Sequence, residues 1–109
     1  MVKISRFDIC LINLDPTLGS EIQKTRPCII ISPDAMNHSR LNTIIIAPMT
    51  SVIREHFPTR VDIDFNNKKG HIALDQLRTI DRQRIIKTLG TLNKATEKKV
   101  LQILQTLFS

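Results

Sequence analysis

Between Phe7 and Leu14 apolar side chains fall on both parities of an extended chain: Phe7, Ile9 and Leu11 on one face, Cys10 and Ile12 beside Asp8 on the other. A strand patterned this way is largely buried on both sides. The next segment, Asp15-Pro16-Thr17-Leu18-Gly19-Ser20, is dense in turn formers and predicts a loop that runs on, polar, through Glu21 to Thr25. Cys28-Ile29-Ile30-Ile31, closed by Ser32-Pro33, reads as a central strand. From Asp34 to Asn42 the chain is polar without a period of two, which predicts a loop with one helical turn at most. Thr43 to Ala47 is a further β-branched strand, ended by Pro48. Arg60 to Phe65 alternates, Val61, Ile63 and Phe65 inward, Asp62 and Asp64 outward; Asn66-Asn67-Lys68-Lys69-Gly70 then predicts a hairpin turn into His71 to Leu74. Short strands follow around Thr79-Ile80 and Lys87 to Leu89.

The period changes at the C-terminal end. Val100, Leu101, Leu104, Leu107 and Phe108 recur at helical spacing, with Thr96 as the expected N-cap and Glu97 in the first turn. Five to seven short strands followed by one amphipathic helix predict a mainly β fold with α, a small, partly open antiparallel barrel with a helix packed on it.

The length, 109 residues, fits a single domain, here spanning 1–109, and 41% hydrophobic residues suffice for one core without disulfides. Charge narrows the function further. Sixteen Lys and Arg stand against 10 Asp and Glu, for a net charge of +6, a balance that suits a polyanionic partner or else a merely soluble basic surface. The basic residues are spread out, with one local concentration at Arg78, Arg82, Arg84 and Lys87. Cys10 and Cys28 have no CxxC pairing and sit in apolar runs, as small core residues do in a reducing compartment. The first residues lack the apolar stretch of a signal peptide, and no segment reaches the ~20 apolar residues that span a bilayer. The expected location is the cytoplasm, with no membrane partner.

His38, His56 and His71 are far apart, form no metal-binding spacing, and read as loop or strand residues without catalytic duty. No P-loop, GxGxxG or nucleophile elbow is present, so neither metal nor cofactor is expected. Two segments instead place reactive side chains where turns meet strands: Gly19 to Pro27, with Glu21, Lys24, Thr25 and Arg26, and Ala47 to Ser51, with Thr50 and Ser51. Polar groups at strand ends on a rigid sheet are well placed to hold a substrate. Taken alone, Arg26 reads equally as functional or as a surface arginine pairing with Asp15 or Glu21.

The ordered string Asp8-Ile9, Leu14-Asp15-Pro16-Thr17, Gly19-Ser20-Glu21, Arg26-Pro27, Ile31-Ser32 and Pro48-Met49-Thr50-Ser51, then Ala73-Leu74-Asp75-Gln76-Leu77-Arg78-Thr79-Ile80-Asp81, resembles the MazF/PemK family of toxin endoribonucleases over almost the whole chain. The resemblance implies an SH3-like barrel, a homodimer, metal-independent cleavage of single-stranded RNA at short sequences, and neutralisation by a cognate antitoxin, a small acidic protein. It places Arg26 on the family's catalytic arginine and Thr50 on its catalytic hydroxyl; Glu21 and Ser51 match neighbouring catalytic positions. The chain departs from the pattern at Phe7, where a glycine usually precedes the Asp-Ile pair, and at Leu11, where an aromatic is common. Both departures bear on packing and dimer geometry more than on chemistry.

RNA carries its own nucleophile, the 2′-hydroxyl. Arg26 matches phosphate oxygens bidentately and Thr50 adds a hydrogen bond; Glu21 is either the base or the group that orients Arg26. With no Trp or Tyr, base choice rests on hydrogen bonds from the Pro16–Thr25 and Thr50–Pro58 loops, Thr25 among them. Lys24, Arg54 and Arg78 are candidates for phosphate contacts or are solvated charges. The competing functions are a gyrase-poisoning toxin of the same barrel type and a non-catalytic barrel that only binds RNA or protein.

Overall fold

In the computed structural model, which describes residues 3–51 and 57–109, the strands are β1 (Asp8–Asn13), β2 (Thr25–Ile30), β3 (Thr43–Thr50), β4 (Arg60–Phe65), β5 (Lys68–Ala73), β6 (Arg78–Asp81) and β7 (Ile85–Thr91). A short helix, α1 (Asp34–Asn37), precedes β3, and α2 (Lys94–Leu107) ends the chain. The strands form one curled antiparallel sheet in the order β4-β5-β3-β2-β1-β7, with β6 added alongside β3.

The three central strands are apolar on both parities because each lies between two cores. Phe7, Ile9, Ile29, Ile31, Ala47, Val61, Ile72 and Leu74 pack on one side with Leu92 and Val100. On the other, Cys10, Ile12, Cys28, Ile30, Ile44 and Ile46 pack with Ile4, Leu14 and Ile80. The two-sided burial expected of the first strand is therefore a property of all three. Burial also raises both thiols, Cys28 to about 12, so each is a neutral core residue.

Five sequence expectations need correction. The strand around Cys28 starts earlier, at Thr25, and β3 runs through Pro48 to Thr50. Pro48 sits where β3 exchanges β6 for β5 as its neighbour, so the ladder loses little by the missing N–H. The hairpin turn is only Asn66-Asn67, both at positive φ (52° and 61°), the conformation a two-residue turn demands, so Lys68 and Lys69 belong to β5. The N-cap of α2 is Asn93, whose side chain accepts from the Thr96 backbone N–H at 2.8 Å; Thr96 lies inside the first turn. Finally, the buried stripe of α2 is Val100, Ile103 and Leu104, whereas Leu101 and Leu107 are part-exposed and Phe108 is 74% exposed.

Phe7 adopts φ 71°, a region comfortable for glycine and strained for a bulky residue. Its side chain is nevertheless buried in the core, with the Arg6 guanidinium 5.2 Å from the ring centroid. Packing thus holds a backbone that the family pattern assigns to glycine.

At the other end, Arg60 clamps Asp75 through two hydrogen bonds of 2.8 and 3.1 Å and lies 5.4 Å over the Phe57 ring. Burial opposes ionisation of Asp75, but the Arg60 contacts outweigh it and hold the carboxyl below its ordinary 3.8. A depressed carboxylate stabilises the fold above that ordinary value and loses the contribution as pH falls. Asp75→Asn is expected to lower unfolding free energy by about 2 kcal/mol near neutrality, since it strands a buried guanidinium. Urea titrations at pH 7 and pH 3 check this: the gap between variant and wild type should shrink at the lower pH.

Candidate active site

Arg26 and Thr50 meet because of register. β2 and β3 pair from Ile30↔Ile46 to Cys28↔Pro48, which leaves Arg26 and Thr50 each two residues beyond the last pair, at the same end of the two strands. The Arg26 guanidinium donates from Nε to the Gln23 carbonyl at 2.8 Å and from NH1 to the Met49 carbonyl at 3.2 Å. Among the described residues no carboxylate is paired with it, so its charge is fixed by backbone and left uncompensated. Neither Asp15 nor Glu21 is its partner.

The two side chains line a groove of about 510 Å³ together with Ser51, Lys68, Lys69 and Lys87. Three lysines around an unpaired arginine make a site for a polyanion. The sequence marks Lys87 only as part of a basic concentration and places Lys68 and Lys69 in a turn, and Lys68–Ala73, exposed at one end and buried at the other, carries no alternation to reveal the strand. Gly70 completes the wall by allowing close approach: a Cβ there would lie 2.6 Å from the Thr50 carbonyl oxygen.

Other expected site residues lie elsewhere. Glu21 accepts from the Leu18 backbone N–H at 2.6 Å, shaping its own loop, and lines a different groove with Pro48, Asp75 and Arg78. The structure does not bring it to Arg26 and Thr50. Arg78 donates to the Leu14 carbonyl at 3.1 Å. Lys24 is exposed at φ 73°, its backbone N–H bonded to Asp15, and Thr25 is exposed at the start of β2. Neither lines the groove of Arg26. Arg54, and most of the loop that was expected to read bases, lies outside the described residues.

The local basic concentration proves mostly structural. Arg82 donates to the carbonyls of Leu41 and Met36, and Arg84 to those of Asn13 and Asp15. Of that cluster only Lys87 faces the groove of Arg26. Among the described residues no group of three or more His, Cys, Asp or Glu is gathered to hold a metal, and no helix is long and apolar enough to cross a membrane.

A curled β half-barrel with an arginine and an alcohol in one groove, ringed by lysines, defines a small β protein with a basic cleft at its strand ends. The comparisons narrow this. The chain belongs to the family of PemK-like, MazF-like toxins of type II toxin–antitoxin systems, which it matches over residues 5–108. It is 31% identical over 106 residues to Endoribonuclease EndoA of Bacillus subtilis (strain 168), covering 94% of this chain and 91% of that protein. It is 32% identical over 104 residues to Endoribonuclease MazF of Staphylococcus epidermidis, covering 92% and 84%. In structure it resembles MazF from Deinococcus radiodurans, with a TM-score of 0.83 at 23% identity over 99% and 98% of the two chains. A mycobacterial endoribonuclease solved in complex with its cognate antitoxin gives 0.78 at 21% identity, over 96% and 94%. These structures share the fold: mainly β, curled, with a C-terminal helix.

Proposed function

We propose that this chain is a metal-independent endoribonuclease that cuts single-stranded RNA through the substrate's own 2′-hydroxyl, leaving a 2′,3′-cyclic phosphate and a 5′-hydroxyl. The observation that carries the reading is that Arg26 and Thr50, at the same end of β2 and β3, line one groove with three lysines. As the 2′-oxygen attacks, negative charge grows on the non-bridging phosphate oxygens. A guanidinium already locked to the Gln23 and Met49 carbonyls meets that charge with little reorganisation, which is the condition for large electrostatic stabilisation. Thr50 presents its hydroxyl to the same phosphodiester, Ser51 stands beside it, and Lys68, Lys69 and Lys87 hold the flanking backbone. Arginine keeps its proton above pH ~12 and is a poor base, so proton transfer from the 2′-hydroxyl falls to another group. Glu21, Lys24, Thr25 and Arg78 act, in this reading, by shaping the loop beside the groove.

Physiologically the chain is the toxin of a type II pair, acts in the cytoplasm as a homodimer, and is neutralised by a small acidic antitoxin. Family membership and the antitoxin complex of the mycobacterial relative support the antitoxin. The open apolar positions Ile86, Leu101 and Phe108 support a second copy.

Incubation of the purified protein with mixed single-stranded RNA in excess EDTA tests the reading directly. Cleavage with cyclic-phosphate ends is expected. Strong chelator inhibition reversed by added metal would overturn the metal-independent chemistry, and inert RNA with trapped DNA gyrase would favour the other toxin class.

A further inference from the structure

The row that holds Thr50 continues across the sheet. Thr50 pairs with His71 on β5, and His71 pairs with Asp62 on β4, so Thr50, His71 and Asp62 stand in line across three neighbouring strands; His71 lines the groove adjoining that of Arg26, and Lys69 and Gly70 line both. Directly opposed side chains of this kind have Cβ atoms about 5 Å apart. His71 is 6% exposed. Its Nε2 lies 3.0 Å from Oδ1 of Asp62, whereas its Nδ1 is buried without a hydrogen-bond partner. A buried nitrogen left unsatisfied is uncommon and calls for a use.

We infer that His71 is a positioning residue of the cleavage reaction, holding through Thr50 the proton that the RNA 2′-hydroxyl gives up. The inference rests on the function proposed above and supplies the base that Arg26 cannot be. Asp62 accepts the Nε2 proton, which fixes the tautomer and leaves the buried Nδ1 with its lone pair, on the strand next to Thr50. In the free protein Nδ1 and the Thr50 hydroxyl are not bonded; catalytic hydrogen bonds commonly tighten only when substrate is bound.

The step balances as follows. The 2′-hydroxyl proton passes to Thr50 Oγ as the Thr50 proton passes to Nδ1, and the 2′-oxygen electron pair forms the new bond to phosphorus. The bond from phosphorus to O5′ breaks with its pair on oxygen, which takes a proton from solvent. The imidazolium, facing Asp62, returns its proton to solvent before the next turnover. The charged groups around His71 are matched in sign: Asp62 and Asp64 from β4, Lys69 from β5, Arg26 in the adjoining groove with Thr50, and Arg60 on β4, already held by Asp75.

His71→Gln and Asp62→Asn, assayed in the full chain on single-stranded RNA, test the inference. His71→Gln is expected to keep the fold by circular dichroism and to lower kcat by about a hundredfold with KM within about twofold of wild type. It should also flatten the rise of kcat with pH that a general base imparts. Asp62, with its side chain 89% exposed, can be replaced without harm to the core, and Asp62→Asn should lower kcat by a smaller factor. A His71→Gln enzyme that keeps kcat within about threefold of wild type, or keeps the wild-type pH rise, overturns the inference. Should His71→Gln fail to fold, an unchanged kcat in Asp62→Asn overturns it alone. The two readings fail separately: wild-type protein that leaves RNA intact sinks the nuclease, whereas an active wild type, a dead Arg26→Ala and a normal His71→Gln sink only the role of His71.

Discussion

Arg26→Ala is expected to lose about a hundredfold or more in RNA cleavage while its thermal midpoint stays within a few degrees of wild type. The asymmetry follows from what the side chain touches. Its partners are two carbonyls, of Gln23 and Met49, at the open end of the strands, so truncation opens no cavity in either core. What disappears is a cation with no carboxylate partner among the described residues, lining a groove that already carries three lysines. The lysines supply long-range attraction but sit on flexible stems, and no mobile ammonium replaces a fork anchored at two points. Arg26→Lys should therefore recover substrate binding more than turnover. Single-turnover cleavage of a defined RNA separates the two: KM near wild type with kcat still depressed supports a transition-state role, whereas loss confined to KM would reduce Arg26 to a binding charge.

The lysines and the histidine show where sequence reading stops. β1, β2 and β3 were legible because apolar side chains on both parities, bounded by Pro, Asp and Gly, have few other ways to be satisfied. Arg26 and Thr50 were legible as reactive groups at the ends of those strands, and the family resemblance assigned their roles. What joins them is the register of β2 on β3, a long-range quantity that no local window contains. The same holds for His71: alone it is a histidine in a strand, and only pairing with Thr50 on one side and Asp62 on the other gives it neighbours worth having. Charge counting failed in the opposite direction. Arg78, Arg82 and Arg84 make up most of the basic concentration that the sequence singles out, yet each reaches to a backbone carbonyl and pins a loop. Arginine offers five donors, and a small fold with long connections uses them as staples. Glu21 is a related case, because its nearest unsatisfied donor is the backbone N–H of Leu18 three residues earlier. The helix was legible as a helix but not as a packed surface. Apolar positions cover more than one stripe, and only the stripe holding Val100, Ile103 and Leu104 meets the sheet.

Gly70→Ala is the second substitution expected to act strongly, and it acts without touching a polar side chain. The added methyl would sit 2.6 Å from the Thr50 carbonyl oxygen and 3.8 Å from the Ser51 Cα, both backbone atoms that cannot swing aside. Strand β3 must then move away from β5 at the place where Met49↔Ile72 and Thr50↔His71 tie the two together. The displacement falls on the residue that shares the groove of Arg26. A shift of about 1 Å in a positioned catalytic group is enough to cost a hundredfold in rate, and the strain itself is of the overpacking kind, about 1–3 kcal/mol. Gly70→Ala should therefore lower the thermal midpoint by several degrees and depress kcat by one to two orders of magnitude, about what Arg26→Ala loses. Gly90 is the control, since a Cβ there meets nothing within 4 Å. Gly90→Ala should fold and cleave normally; if both glycine variants behave alike, the close approach of β5 to Thr50 is not what sets the geometry of the site.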